Sequence, residues 1–158
     1  MSAKKARRKR IHQQAVWPRT VSLEERETVL SFWEERFGIP QETFDPYLLL
    51  ATAKNYWLFI NPPDLKALQG LRVQTVGLLF TRKVSRWLKP TSTALQRFGH
   101  LATRNVVDLR PAELDRLRRE RKIPYEAPLE EGYVVISCEG KVWGCGLYTP
   151  GKLISYLP

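Results

Sequence analysis

The C-terminal segment, residues 132–158, constrains the fold of this chain more than any other stretch. Two apolar, β-prone runs flank the pair Glu139-Gly140, and a third short run covers residues 153–157. Glycine supplies the positive φ that a tight hairpin turn requires. Two further glycines, Gly144 and Gly146, lie inside the second run and predict a bulge or a sharp bend there. The segment therefore predicts consecutive strands that begin at residue 132.

The two cysteines lie on these predicted strands. If Glu139-Gly140 is a two-residue turn, Cys138 lies opposite Lys141 and Cys145 lies opposite Val134. The cysteines would then be about 13 Å apart along the strands, which is too far for a disulfide. We predict that both are small buried hydrophobic residues.

The composition indicates a globular chain that does not enter a membrane. Its 158 residues are 43% apolar, which is enough for one core or two small ones. The sequence contains no run of eighteen apolar residues, and its N-terminus lacks the apolar core of a signal peptide. We therefore expect a cytoplasmic protein.

The charges are separated along the sequence. The net charge is +10. Residues 22–47 carry seven acidic side chains against two arginines, whereas residues 65–107 carry eight basic side chains and no acidic one. One part of the molecule therefore suits a polyanion. Residues 1–20 read as a disordered basic arm that binds RNA through Lys4, Lys5, Arg7, Arg8, Lys9 and Arg10.

The rest of the chain shows alternating helix and strand signals. Ser22-Leu-Glu-Glu25 is a capping box that opens a helix running to Phe37. The pattern also predicts strands over residues 44–51, 56–61, 72–80 and 105–109, and helices that begin at Pro62, Lys89-Pro90-Thr91 and Pro111 and end near Gly70, Gly99 and Arg121.

Several of these segments form an ordered series: Lys89-Pro-Thr-Ser-Thr-Ala-Leu-Gln-Arg-Phe-Gly99, Ala102-Thr-Arg-Asn-Val-Val-Asp-Leu109, Gly132-Tyr-Val-Val and Gly144-Cys-Gly146. The series resembles the C-terminal region of Sun/Fmu-type RNA cytosine-5 methyltransferases. In that region a small pre-PUA α/β unit precedes a PUA-like barrel, and pre-PUA/PUA ribosome-biogenesis factors share this layout. No methyltransferase domain accompanies the series in this sequence.

The resemblance implies an α+β fold in three parts. Residues 1–20 form the basic arm, residues 21–88 a pre-PUA-like α/β unit, and residues 89–158 a PUA-like β-barrel domain, with the boundary between residues 80 and 110. It also implies RNA contact from the loop that enters the barrel, residues 123–131, and from Lys152. The acidic Glu126, Glu130 and Glu131 in that loop argue against strong phosphate contact there.

Within the acid-free stretch, residues 81–91 are the first candidate for phosphate contact. A helix N-terminus favours an anion, and Lys89 precedes the predicted helix that Thr91 caps. Trp87 can either stack on an unpaired base or, more commonly for such a residue, pack against the core. The candidate RNA contacts are Arg82, Lys83, Arg86, Trp87, Lys89, Thr91, Arg97, Arg104 and Lys152.

The sequence contains no pattern of a catalytic or metal site. His12 and His100 are the two histidines, neither cysteine has a plausible activating base, and no Gly-rich phosphate loop follows a strand. We therefore expect no catalytic residue, metal or cofactor. The expected function is binding of structured rRNA or tRNA in ribosome biogenesis or RNA modification, with an RNA methyltransferase or a ribosome-assembly factor as the partner protein. The alternatives are a protein–protein adaptor that uses the acidic helix, and the targeting subunit of a separately encoded RNA methyltransferase.

Overall fold

The structure is a computed structural model that describes residues 18–60 and 77–158. Within these ranges the chain has an α+β fold with three α-helices and two five-stranded sheets. The elements in chain order are β1 Arg19–Thr20, α1 Leu23–Phe37, β2 Tyr47–Ala51, β3 Asn55–Ile60, β4 Leu78–Val84, β5 Trp87–Pro90, α2 Ser92–Phe98, β6 Val106–Asp108, α3 Pro111–Glu120, β7 Lys122–Pro124, β8 Gly132–Cys138, β9 Lys141–Thr149 and β10 Lys152–Ser155.

The first sheet is an antiparallel meander in the order β1-β2-β3-β4-β5. Its second strand begins at Tyr47 and not at Phe44 as predicted, because residues 41–44 form a 3₁₀ turn. The predicted helix from Pro62 to Gly70 lies outside the described residues, as does most of the predicted strand over residues 72–80.

The start of the first sheet corrects the predicted length of the basic arm. Arg19 pairs with Ala51 and Thr20 with Leu50, so these two residues belong to a strand and not to the arm. The arm residues Lys4, Lys5, Arg7, Arg8, Lys9 and Arg10 lie outside the described residues.

Helix α1 begins and ends where the sequence predicts. The Ser22 hydroxyl accepts a hydrogen bond from the Glu25 backbone N–H at 3.1 Å, and Gly38 ends the helix with a φ of 68°. The buried face of the helix packs on the first sheet through Val29, Leu30, Trp33 and Phe37. The Ser22 cap and the apolar spacing together determine this docked helix, whereas the Glu25 carboxylate, predicted to complete a capping box, accepts from Arg19 and Tyr56 instead.

The second sheet has the order β6-β8-β9-β10-β7, with β6 parallel to β8 and the other pairs antiparallel. Helix α3 packs on it through Leu114 and Leu117. In the described part of the chain no ladder joins β6 to β7, so the sheet is open and the predicted closed barrel is not formed by these strands.

The hairpin β8–β9 confirms the predicted turn and changes the predicted register. Glu139 and Gly140 both have positive φ, and Cys138 lies opposite Lys141. A bulge then inserts an extra residue before Gly144, which has a φ of 146°. Because of this bulge, Cys145 pairs with Val135 and not with Val134 as predicted.

Both cysteines are buried free thiols, as predicted. Burial raises the pKa of the Cys145 thiol to about 12, so this side chain stays protonated at neutral pH.

The two sheets contact each other through α1. The Arg36 guanidinium donates to the Tyr133 carbonyl at 2.6 Å and to the Glu130 carbonyl at 2.9 Å, and the Asn105 amide donates to the Arg36 carbonyl at 2.7 Å. Val135 of β8 also packs in the core beneath the first sheet. The division into units at residues 21–88 and 89–158 stays a prediction. No helix of the described residues is long and apolar enough to cross a membrane.

Candidate nucleic-acid interface

The hairpin formed by β4 and β5 presents basic and aromatic side chains on one face of the first sheet. Arg82 lies directly opposite Lys89, and Val84 lies directly opposite Trp87. Because the side chains of a strand alternate between the two faces, these four residues share a face. The opposite pair, Lys83 and Leu88, points to the side on which α1 packs. We call the first set, with the turn residue Arg86, the hairpin face.

Trp87 is the most unusual residue of the hairpin face. Its relative exposure is 68%, and that of its cross-strand neighbour Val84 is 44%. The more common arrangement weighed from the sequence, with Trp87 packed against the core, is therefore wrong. An exposed tryptophan beside an exposed apolar residue and among arginines is available to stack on a flat ligand.

Lys89 joins the hairpin face to the second sheet. Its Nζ lies 3.2 Å from the centroid of the Tyr156 ring, which is a cation–π contact. Burial lowers the pKa of Lys89 below its usual value, and the nearby charge of Arg82 lowers it further. The Tyr156 backbone is fixed by a hydrogen bond from its N–H to the Cys145 carbonyl at 3.0 Å. Tyr156 therefore extends the hairpin face with a second, partly exposed aromatic ring.

The phosphate-binding site predicted at the start of α2 has a different geometry from the one expected. Lys89 belongs to β5, and its ammonium group lies over Tyr156. Thr91 caps the helix as predicted, because its hydroxyl accepts from the Ala94 N–H at 3.1 Å. The same hydroxyl donates to the Leu79 carbonyl at 2.6 Å, and the residue is buried. Both hydrogen bonds of the Thr91 hydroxyl therefore stabilise the fold. Arg82 and Arg86 are the exposed cations of this segment.

Lys83 takes part in a charge network on the other side of the sheet. Its Nζ lies 3.8 Å from a Glu25 carboxylate oxygen and 4.5 Å from the Tyr56 ring centroid. Glu25 also accepts two hydrogen bonds from Arg19, at 2.8 and 2.9 Å, and one from the Tyr56 hydroxyl at 2.8 Å. These donors, chiefly Arg19, lower the pKa of the Glu25 carboxyl to about 2, whereas burial raises the pKa of Tyr56 to about 12.

This network predicts how stability depends on pH. Because the folded pKa of Glu25 lies below its usual 4.5, the network stabilises the fold above that pH and loses its effect as the pH falls toward about 2. After discounting for solvent screening, Glu25→Gln should lower the free energy of unfolding by about 1–2 kcal/mol at pH 7. Denaturant unfolding at pH 7 and pH 3 would measure this difference, which should shrink at the lower pH.

The matched control for this prediction is Glu24→Gln, whose carboxylate makes no ion pair with a described residue. Its effect should be small and nearly independent of pH. Equal effects of the two substitutions at both pH values would contradict the network.

The other predicted contacts lie on different elements. Arg97 of α2 donates to the Tyr47 hydroxyl at 3.4 Å, and Arg104 donates to the Glu34 carbonyl at 2.9 Å, near the end of α1. Lys152 is exposed at the start of β10. The structure therefore brings Arg82, Arg86, Trp87 and Lys89 together on one hairpin and places these three residues on other elements.

The sequence reasoning missed three residues of this region. Asn55 pairs with Arg82, and Tyr156 lies beneath Lys89. Val84 was not singled out either. Val84 lies two residues after Arg82 on the same strand, so alternation could have placed it on the face of Arg82, but the position of Tyr156 follows from tertiary contacts alone. A second basic–aromatic cluster was also missed. The centroid of the Trp143 ring lies 5.1 Å from the Arg118 guanidinium carbon and 4.3 Å from the Lys141 Nζ.

In comparisons with known proteins, no protein-family model and no curated protein matches the chain. Among the described residues, no group of three or more His, Cys, Asp or Glu side chains could hold a metal ion.

Proposed function

We propose that this chain is a non-enzymatic RNA-binding protein that holds an unpaired stretch of a structured RNA on the hairpin face. The observation that carries the proposal is the 68% exposure of Trp87 between Arg86 and the Arg82–Lys89 pair. A tryptophan ring stacks on any base, and neighbouring arginines bind the phosphates on either side. The hairpin face therefore combines the two contacts that single-stranded RNA needs.

The distribution of charge favours the same face. The acidic helix α1 packs on the opposite side of the first sheet, where Glu25 pairs with Lys83. A phosphate chain is repelled from that side and attracted to the side of Arg82 and Arg86. Phosphate contacts would supply most of the affinity, and Trp87 with Tyr156 would favour unpaired over duplex RNA.

The resemblance to pre-PUA/PUA proteins extends this proposal to a biological setting. The order of elements, a first sheet with α1 followed by an open second sheet with α3, is compatible with that layout. On this basis the RNA is rRNA or tRNA, and the process is ribosome biogenesis or RNA modification, in which a methyltransferase or an assembly factor would be the partner protein.

Removing the exposed ring tests the proposal. Trp87→Ala should weaken binding of a single-stranded oligouridine by about 1–3 kcal/mol, the usual loss for a stacking residue. In dissociation constants this is about 5- to 150-fold. Trp87→Phe keeps an aromatic ring and should lose less affinity than Trp87→Ala. Fluorescence anisotropy with the full chain measures the three affinities.

Leu23→Ala is the matched control, because Leu23 is an apolar side chain that is 87% exposed on α1, away from the hairpin face. It should bind the oligonucleotide as the wild type does. Equal affinities for wild type, Trp87→Ala and Leu23→Ala would refute a stacking role for Trp87.

A further inference from the structure

A groove between α1 and the edge strand β5 forms a second surface, separate from the hairpin face. Its volume is about 490 Å³. The half-buried side chains of Phe32 and Leu88 form an apolar floor, and three exposed carboxylates stand at the rim. The lining residues are Glu24, Glu27, Thr28, Ser31, Phe32, Glu35 and Leu88.

The chain itself contains the segment whose charge complements this groove. The groove carries three carboxylates and no basic side chain. Residues 4–10 carry six basic side chains and no acidic one. Long basic side chains can place their methylene groups on an apolar floor while their charges meet carboxylates at the rim.

The segment joins the fold near one end of the groove. Arg19, on β1 at the edge of the first sheet opposite β5, pairs through two hydrogen bonds with Glu25 in the first turn of α1. The rim residue Glu24 precedes Glu25 in the sequence. The nine residues from Arg10 to Arg19 can span up to about 30 Å when extended. The rim from Glu24 to Glu35 is shorter, about 17 Å at the rise of an α-helix. Residues 4–10 can therefore reach the whole groove.

We propose that the groove is the docking site of the basic segment 4–10 of the same chain. The covalent link keeps the segment at a high effective concentration near the groove, so weak ion pairs are sufficient. RNA and the groove then compete for the same basic side chains, because one cation cannot serve a phosphate and a carboxylate at once. The docked segment limits binding of weak RNA ligands, and a strong ligand releases it.

A spin label on the full chain tests the docking without RNA. Cys138 and Cys145 are buried, so a nitroxide reagent should attach to the introduced thiol of Ser2→Cys. At low salt the amide signals of residues 27–35 should lose intensity relative to those of α3. The loss should disappear at about 1 M salt, where the Debye length is about 3 Å. The intensity loss should also disappear in E24Q/E27Q/E35Q, which removes the three carboxylates of the groove.

The matched control is E126Q/E131Q/E139Q, which changes the net charge equally at three exposed glutamates outside the groove. This variant should keep the intensity loss on α1. Unchanged α1 signals in the wild-type chain, or the same loss in both triple variants, would overturn the proposal. An equal loss on an isotope-labelled chain mixed with a spin-labelled one would overturn it too, because a second copy would then supply the segment.

The consequence for RNA rests on the proposed function and has a separate test. The groove variant E24Q/E27Q/E35Q should bind oligouridine about fivefold more tightly than the control triple, a coupling at the lower end of the usual range. If the spin-label test shows docking but the two variants bind RNA with equal affinity, the competition is refuted and the docking is not. Failure of the wild-type chain to bind RNA would refute the proposed function and leave the docking intact.

Discussion

Trp33→Ala is expected to lower the free energy of unfolding by about 3–5 kcal/mol, the usual cost of removing a large buried ring. Trp33 is fully buried, and its ring stacks on Phe80 with centroids 4.4 Å apart. Its Nε1 donates to the Thr81 hydroxyl at 2.9 Å. The substitution removes both of these contacts, which join α1 to β4. Urea unfolding followed by circular dichroism measures the loss.

Trp33→Phe separates the two contributions. Phenylalanine retains most of the packing but leaves the buried Thr81 hydroxyl without its donor, which costs about 1–3 kcal/mol. The exposed Leu23→Ala serves as the control and should change stability by less than about 0.5 kcal/mol. A Trp33→Ala protein as stable as the Leu23→Ala protein would show that α1 does not dock on the first sheet through this ring.

Reversing the two exposed arginines of the hairpin face should have the largest effect on RNA affinity. Each charge-assisted hydrogen bond to a phosphate contributes about 1.5–3 kcal/mol. R82E/R86E should therefore weaken binding by more than about a hundredfold, which corresponds to about 2.8 kcal/mol. The neutral variant R82Q/R86Q should also flatten the dependence of log K on log salt by about 1.4, or 0.7 for each lost contact with a single strand.

Two exposed basic residues near the end of α3 provide the control. R119E/K122E changes the net charge by the same amount as R82E/R86E, so a diffuse field would weaken binding equally in both. Local contacts predict a loss several-fold larger on the hairpin face. Both variants must first show wild-type thermal stability. Equal losses in two stable variants would mean that the hairpin face is only part of a general basic surface.

Local signals in the sequence were sufficient to predict α1 and the β8–β9 turn. Ser22 and Gly38 delimit the helix through their own backbone geometry, and Gly140 supplies a turn that few other residues allow. The register beyond the turn could not be predicted to the residue, because the bulge before Gly144 shifts every later pair by one. Glycine positions indicate that a bulge exists but not how many residues it inserts.

The sequence was sufficient to predict which segment carries the candidate site, but not which of its side chains share one surface. The acid-free stretch 65–107 and the basic cluster within it select residues 81–91, but the side that each residue faces depends on strand parity. A second bulge, between β3 and β4 next to Tyr56, sets this parity. It places Lys83 against Glu25 and Arg82 on the opposite face. Tyr156 continues the β9–β10 pairing opposite Cys145. It joins the site only because this part of the second sheet lies against Lys89 of β5, a tertiary contact that carries no local signal.

The most direct test of the central proposal is the indole N–H resonance of Trp87 during titration of the full chain with a single-stranded oligouridine. Trp33 is an internal reference, because its indole is fully buried and bonded to Thr81. We predict that the Trp87 resonance shifts progressively and saturates together with the anisotropy signal, while the Trp33 resonance stays in place. Saturated RNA binding with an unmoved Trp87 resonance would contradict the proposal.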